Sequence, residues 1–67
     1  MADIALRLPD DETMALAQLV KRISYDDCTR LSGRFNRYAG NRLECDVMWA
    51  AIHILAGALA EGGFAPR

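Results

Sequence analysis

The chain begins with a period of two and then changes to a period of three to four. Residues 3–8, Asp-Ile-Ala-Leu-Arg-Leu, place Ile4, Leu6 and Leu8 on one side of an extended segment and Asp3, Ala5 and Arg7 on the other. This predicts a short N-terminal strand or extended arm over 3–8. A lone strand has no partner for its ladder, so the arm must pair with a second copy in a dimer or lie across helices with its backbone partly solvated.

Pro9-Asp10 ends the extended run. Asp10 can cap a helix whose first turn holds Asp11 and Glu12, the sign of charge that the positive end of the helix dipole favours. A helix is predicted over 11–23, with Leu16, Leu19, Val20 and Ile23 at i, i+3, i+4 and i+7, and Lys21 and Arg22 in its last turn. Ser24 followed by Asp27 is nearly a capping box, so a second helix is predicted over 25–33, with Cys28, Leu31 and Phe35 on its inner face. Gly33 weakens its end, and Arg34 to Tyr38 reads as irregular. Asn41 followed by Glu44 is another near capping box, and a third helix is predicted over 42–61. Gly62-Gly63 closes it, with Phe64 where a Schellman motif wants an apolar residue.

Helix three carries two apolar stripes. Cys45, Met48, Ile52, Leu55 and Leu59 keep the 3-4 spacing of a face packed on helices one and two, while Leu43, Val47, Ile54 and Ala58 lie on a different side. From Val47 to Ala60 only His53 interrupts an apolar or glycine run of fourteen positions, too few for a bilayer, which takes about 20. A helix apolar nearly all round must be shielded, by the arm and tail or by a partner. The expected fold is mainly α: a single compact three-helix domain spanning 1–67 with a short N-terminal extended arm.

Sixty-seven residues make one domain at most, and a chain this short buries only about 60% of its unfolded surface, which leaves no room for a deep substrate cleft. Apolar residues at 52% and charged residues at 25% indicate a chain that folds. The net charge of -1 is unevenly spread: residues 1–20 sum to -3, residues 21–42 to +4 and the remainder to -2. Such a dipolar surface steers charged partners. Cys28 and Cys45 lack the ligand spacing of a zinc site, and with no apolar signal segment over Met1 to Leu8 the expected compartment is the reducing cytoplasm, with both thiols free.

No catalytic set is visible. His53, the only histidine, lies in the most apolar part of helix three, Ser24 and Ser32 have no glycine elbow, and no phosphate-binding loop appears. No enzymatic activity, metal, cofactor, small-molecule substrate or membrane is expected. The acidic groups Asp10, Asp11, Glu12, Asp26, Asp27, Glu44 and Asp46 each fall at a helix start, where capping and the helix dipole account for them. If the starts of helices one and three lie at one end of the bundle, they also form an acidic face able to occupy a basic, DNA-reading surface. Trp49 is a candidate anchor for a protein partner if it is exposed. Arg30, Arg34 and Arg37, interleaved with Phe35 and Tyr38, suit a solvated basic face or, with Arg7, contacts to nucleic acid.

The run Ile4-Ala5-Leu6-Arg7-Leu8-Pro9-Asp10-Asp11-Glu12 resembles the strand-to-helix junction of ribbon-helix-helix repressors, which implies a dimeric DNA-binding protein. The long apolar helix that follows departs from that pattern, and Arg7 is the one good base-reading side chain on the outward face of the arm. Taken whole, the layout resembles small helical bacterial proteins of mobile elements and phage-rich regions, through Ala15 to Arg22, Tyr25-Asp26-Asp27 and the ending Ala58 to Arg67. Proteins of that type include anti-CRISPR inhibitors. The resemblance implies a protein-binding inhibitor whose partner is a larger bacterial protein, a nucleic-acid-binding subunit of an immune effector, and it allows a homodimer.

Overall fold

The structure, a computed structural model, describes residues 1–33 and 36–64. It is mainly α, with three helices: α1 (Asp10–Arg22), α2 (Tyr25–Leu31) and α3 (Glu44–Glu61). A two-stranded antiparallel ribbon, β1 (Arg37–Tyr38) and β2 (Arg42–Leu43), joins α2 to α3, and residues 1–9 form an arm without regular structure.

α1 starts one residue before the expected position, and Asp10 is inside the helix instead of capping it. Pro9 occupies the cap position with φ -55° and no side-chain cap bond. Proline presets this geometry and has no N–H to satisfy. The Thr13 amide donates to the Pro9 carbonyl at 2.9 Å, and the Thr13 hydroxyl donates to the same oxygen at 3.0 Å. The Ser24 capping box forms as the sequence predicts: the Ser24 amide donates to Asp27 Oδ2 at 2.8 Å and the Asp27 amide to Ser24 Oγ at 3.2 Å.

α2 is shorter than expected. Ser32 is already extended, and Leu31 is 63% exposed instead of facing inward. Arg34 and Phe35 lie outside the described residues. α3 begins at Glu44, two residues later than expected, because Arg42 and Leu43 pair with Tyr38 and Arg37. The turn between them places Gly40 at φ 79° and Asn41 at φ 60°, a left-handed pair that glycine and asparagine tolerate best. Asn41 is therefore a turn residue and not a helix cap. At the other end of α3 the Schellman motif is complete. The Phe64 amide donates to the Leu59 carbonyl at 2.9 Å, the Gly63 amide donates to the Ala60 carbonyl at 3.1 Å, and Gly63 takes φ 87°.

α2 packs on the first half of α3 and α1 on the second half. The stripe Cys45, Met48, Ile52, Leu55 and Leu59 faces inward as its spacing predicts, buried at Cys45 and half-buried at the others. Among the described residues only Ala17, Cys28 and Cys45 are fully buried hydrophobics, and both thiols are free. The described residues leave the remaining sides of α3 unwrapped, and residues 65–67 of the tail lie outside them. Ala50, Ala51, Gly57 and Ala58 are exposed, and Ile54 is 77% exposed. The surface of 5598 Å² exceeds the roughly 4,200 Å² expected of a folded monomer of 7.4 kDa. No helix among the described residues is long and apolar enough to cross a membrane.

Candidate protein-binding face

The outward side of α3 follows from its angular period. Positions 46, 50, 54, 57 and 61 repeat every three to four residues opposite the packed stripe, so Ala50, Ile54 and Gly57 form an apolar strip between Asp46 and Glu61. The strip is small-residued except at Ile54, which therefore projects as its one bulky tooth.

One flank of the strip is aromatic. Trp49, half-buried, meets Tyr25 of α2 edge-on at 6.1 Å between ring centroids and the exposed His53 edge-on at 4.6 Å. Both are geometries that the ring quadrupole favours. The Tyr25 hydroxyl donates to Asp46 Oδ1 at 2.6 Å and lies 3.5 Å from Cys45 Sγ. The hydrogen bond to Asp46, and after it the contact with Cys45, raises the Tyr25 phenol above its ordinary range, so it stays protonated and keeps donating. Trp49 is therefore held by two ring contacts while staying partly exposed, as a pre-organised interface anchor is.

The acidic residues separate into two ends. Asp10 lines the same cleft as Leu59 and Gly62, so the start of α1, with Asp11 and Glu12, sits at the end of α3. Glu44 and Asp46 are at its beginning, and an 18-residue helix is about 27 Å long. The starts of helices one and three are thus at opposite ends, and no continuous acidic face unites them. The reason is local: the turn Ile23-Ser24 delivers α2 onto the start of α3, which sends α1 back along it.

Several of these carboxylates have structural work. The Glu44 carboxylate accepts from the Gly33 amide at 2.7 Å, from Asn36 Nδ2 at 3.0 Å and from the Tyr38 hydroxyl at 2.9 Å. Those bonds, the Gly33 amide foremost, hold Glu44 below the usual carboxylate range, and the hydrogen bond from Tyr38 to Glu44 raises the Tyr38 phenol. Asp27 is lowered chiefly by the Ser24 amide and then by the Ser24 hydroxyl, and it also binds Arg30 at 2.8 Å. Asp26 is exposed beside Tyr25. The sequence reading did not anticipate the Glu44 hub, because its donors come from a loop and a ribbon whose positions no periodicity marks.

Among the described cationic residues, Arg22 and Arg30 line one cleft together with Asp27. Arg7 lies on the arm, Arg30 is engaged by Asp27 and Arg37 is exposed on β1. A cleft of about 410 Å³ opens between α1, the second half of α3 and the arm, lined by Leu6, Leu8, Leu16, Leu55, Leu59 and Phe64 among others. Its walls offer apolar contact and little catalytic chemistry. No group of three or more potential metal ligands occurs among the described residues.

The chain belongs to DUF7706, a family of unknown function, which it matches over residues 1–67. No curated protein and no solved structure matches it.

Proposed function

We propose that this member of the family is a non-enzymatic protein-binding module whose partner, a larger bacterial protein, seats on the outer face of α3. The observation that carries the reading is Ile54, 77% exposed on an apolar strip flanked by the Tyr25–Trp49–His53 aromatic group. Exposed apolar surface rimmed by polar groups supports association, and tyrosine and tryptophan are the side chains most enriched at interface centres. The small residues beside Ile54 let a partner backbone approach closely.

Affinity capture from a bacterial lysate tests this with wild-type and Ile54→Lys chains side by side. The wild type retains a partner that the variant, folded by circular dichroism, loses. Equal retention by both chains would remove the outer face from the interface.

In its narrower form the proposal is an anti-CRISPR-like inhibitor that blocks a nucleic-acid-binding subunit, with the exposed acidic start of α1 as the element that meets basic surface. The triple reversal of Asp10, Asp11 and Glu12 to lysine then abolishes inhibition, and inhibition retained by a folded triple variant discards the acidic mechanism. The repressor reading has less support. It needs a basic surface, and of its residues Arg7 stands alone on the arm while Arg30 is already paired. A gel shift on duplex DNA, with affinity falling as salt rises, is the result that would revive it.

A further inference from the structure

The start of α2 and the first half of α3 bring aromatic rings and carboxylates to one open corner. Tyr25 is 41% exposed, His53 is exposed and Trp49 is half-buried. The planes of Tyr25 and His53 each stand at 86° to the indole of Trp49. Rings at right angles cannot cover one another's faces as a stack does, so ring surface stays open to a ligand. Beside them, Asp46 accepts the Tyr25 hydroxyl on Oδ1. Among the described residues its Oδ2 has no donor, and neither has Asp26, the residue after Tyr25.

We propose that this corner seats an arginine side chain of the protein partner, with the guanidinium over the aromatic rings and Asp46 as its counter-charge. The seat presupposes a protein partner on the outer face of α3 and names the chemistry that this partner brings. Ring faces carry the negative part of the quadrupole and attract a cation within about 6 Å of a ring centroid. The Tyr25 and His53 centroids lie 6.1 and 4.6 Å from that of Trp49, close enough for one cation to serve more than one ring. A planar, weakly hydrated guanidinium stacks on a ring while its N–H groups reach a carboxylate, whereas an ammonium holds its water in a site this open.

The local charge has the right sign. The starts of α2 and α3 each contribute about half a positive charge from the helix dipole, and two carboxylates in each first turn exceed it, even with Arg30 neutralising Asp27. An anionic ligand would meet Asp26 and Asp46 as like charges. The cations of neighbouring segments are placed elsewhere: Arg22 and Arg30 line a different cleft with Leu19 and Leu31, and Arg42 donates to the Ala39 carbonyl at 3.3 Å.

Titration of the isotope-labelled full chain with N-acetyl-arginine methylamide, followed by NMR at constant ionic strength, tests the seat. The control is the citrulline analogue, which keeps the shape of the side chain and loses its charge. The Trp49 indole N–H shifts saturably with the arginine probe, at a midpoint on the order of 10 mM, and stays in place with citrulline. Asp46→Asn, folded by circular dichroism, binds the arginine probe roughly threefold more weakly. Equal shifts with both probes overturn the proposal, because the corner is then merely apolar. So does the absence of any shift up to about 100 mM, tenfold above the expected midpoint, or an Asp46→Asn chain that binds as the wild type does. The probe requires no partner, so its failure removes the arginine seat alone, while the Ile54→Lys comparison judges the binding face separately.

Discussion

The two ends of α3 are held by different physics. At its beginning, α2 and the ribbon are fixed by directional bonds: three donors to Glu44, Tyr25 to Asp46, and the reciprocal pair of Ser24 and Asp27. At its end, α1, the arm and Phe64 meet α3 through apolar side chains around an open cleft of about 410 Å³. Directional bonds specify one arrangement, while apolar contact is indifferent to which apolar surface supplies it. The polar end therefore sets the shape of the molecule, and the greasy end is where another chain can substitute for solvent.

The largest test of this contrast is Ala17→Leu. Ala17 is 1% exposed where α1 approaches α3, and overpacking there costs about 1–3 kcal/mol. Thermal unfolding by circular dichroism should fall by roughly 4–8 °C per kcal/mol. An unchanged midpoint would mean that this contact is already loose and that the apolar end contributes little. Next in size is Ser24→Ala, which removes the capping box of a seven-residue helix and costs about 1 kcal/mol. Its loss should appear first in the amides of α2, leaving α1 unchanged.

Acid gives a smaller, graded version of the same experiment. The folded chain holds Glu44 and Asp27 below their unfolded values. Their contribution is thus complete above about pH 5 and lost as pH falls through the lower folded values. Hydrogen exchange at Gly33 and Ser24 should quicken in acid before exchange in α1 does, and Glu44→Gln should flatten the Gly33 response. Simultaneous loosening of both ends would dissolve the distinction drawn between them. The smallest expected effect on stability is that of Ile54→Lys, within about 0.5 kcal/mol, since the side chain it replaces is largely solvated. A large destabilisation would show Ile54 to be structural.

Local chemistry explains what could be read from the sequence. The inner stripe from Cys45 to Leu59, the Ser24 box and the Gly62-Gly63-Phe64 ending each depend on residues within one or two helical turns, and each is found in the structure. The ribbon was missed because two-residue strands are too short for alternation to register; the signal available was Gly40-Asn41 between Tyr38 and Leu43. The Asn41–Glu44 spacing misled for the same reason, since Asn41 turns the ribbon and Glu44 reaches back to a distant loop. The apolar run of α3 was visible, but whether this chain could cover it depends on the path of α1 and α2, which no window of sequence encodes. The placement of the acidic groups at opposite ends also depends on that path.

The edge-on stack at the start of α3 gives the molecule an optical handle. Trp49 is the only tryptophan, its indole lies 4.6 Å from an exposed imidazole, and a phenol bonded to Asp46 meets it on another side. Whatever docks on this flank changes the hydration of that single fluorophore, so its emission can be titrated without a label. A ligand confined to the arm, beside the other end of α3, would leave the spectrum still.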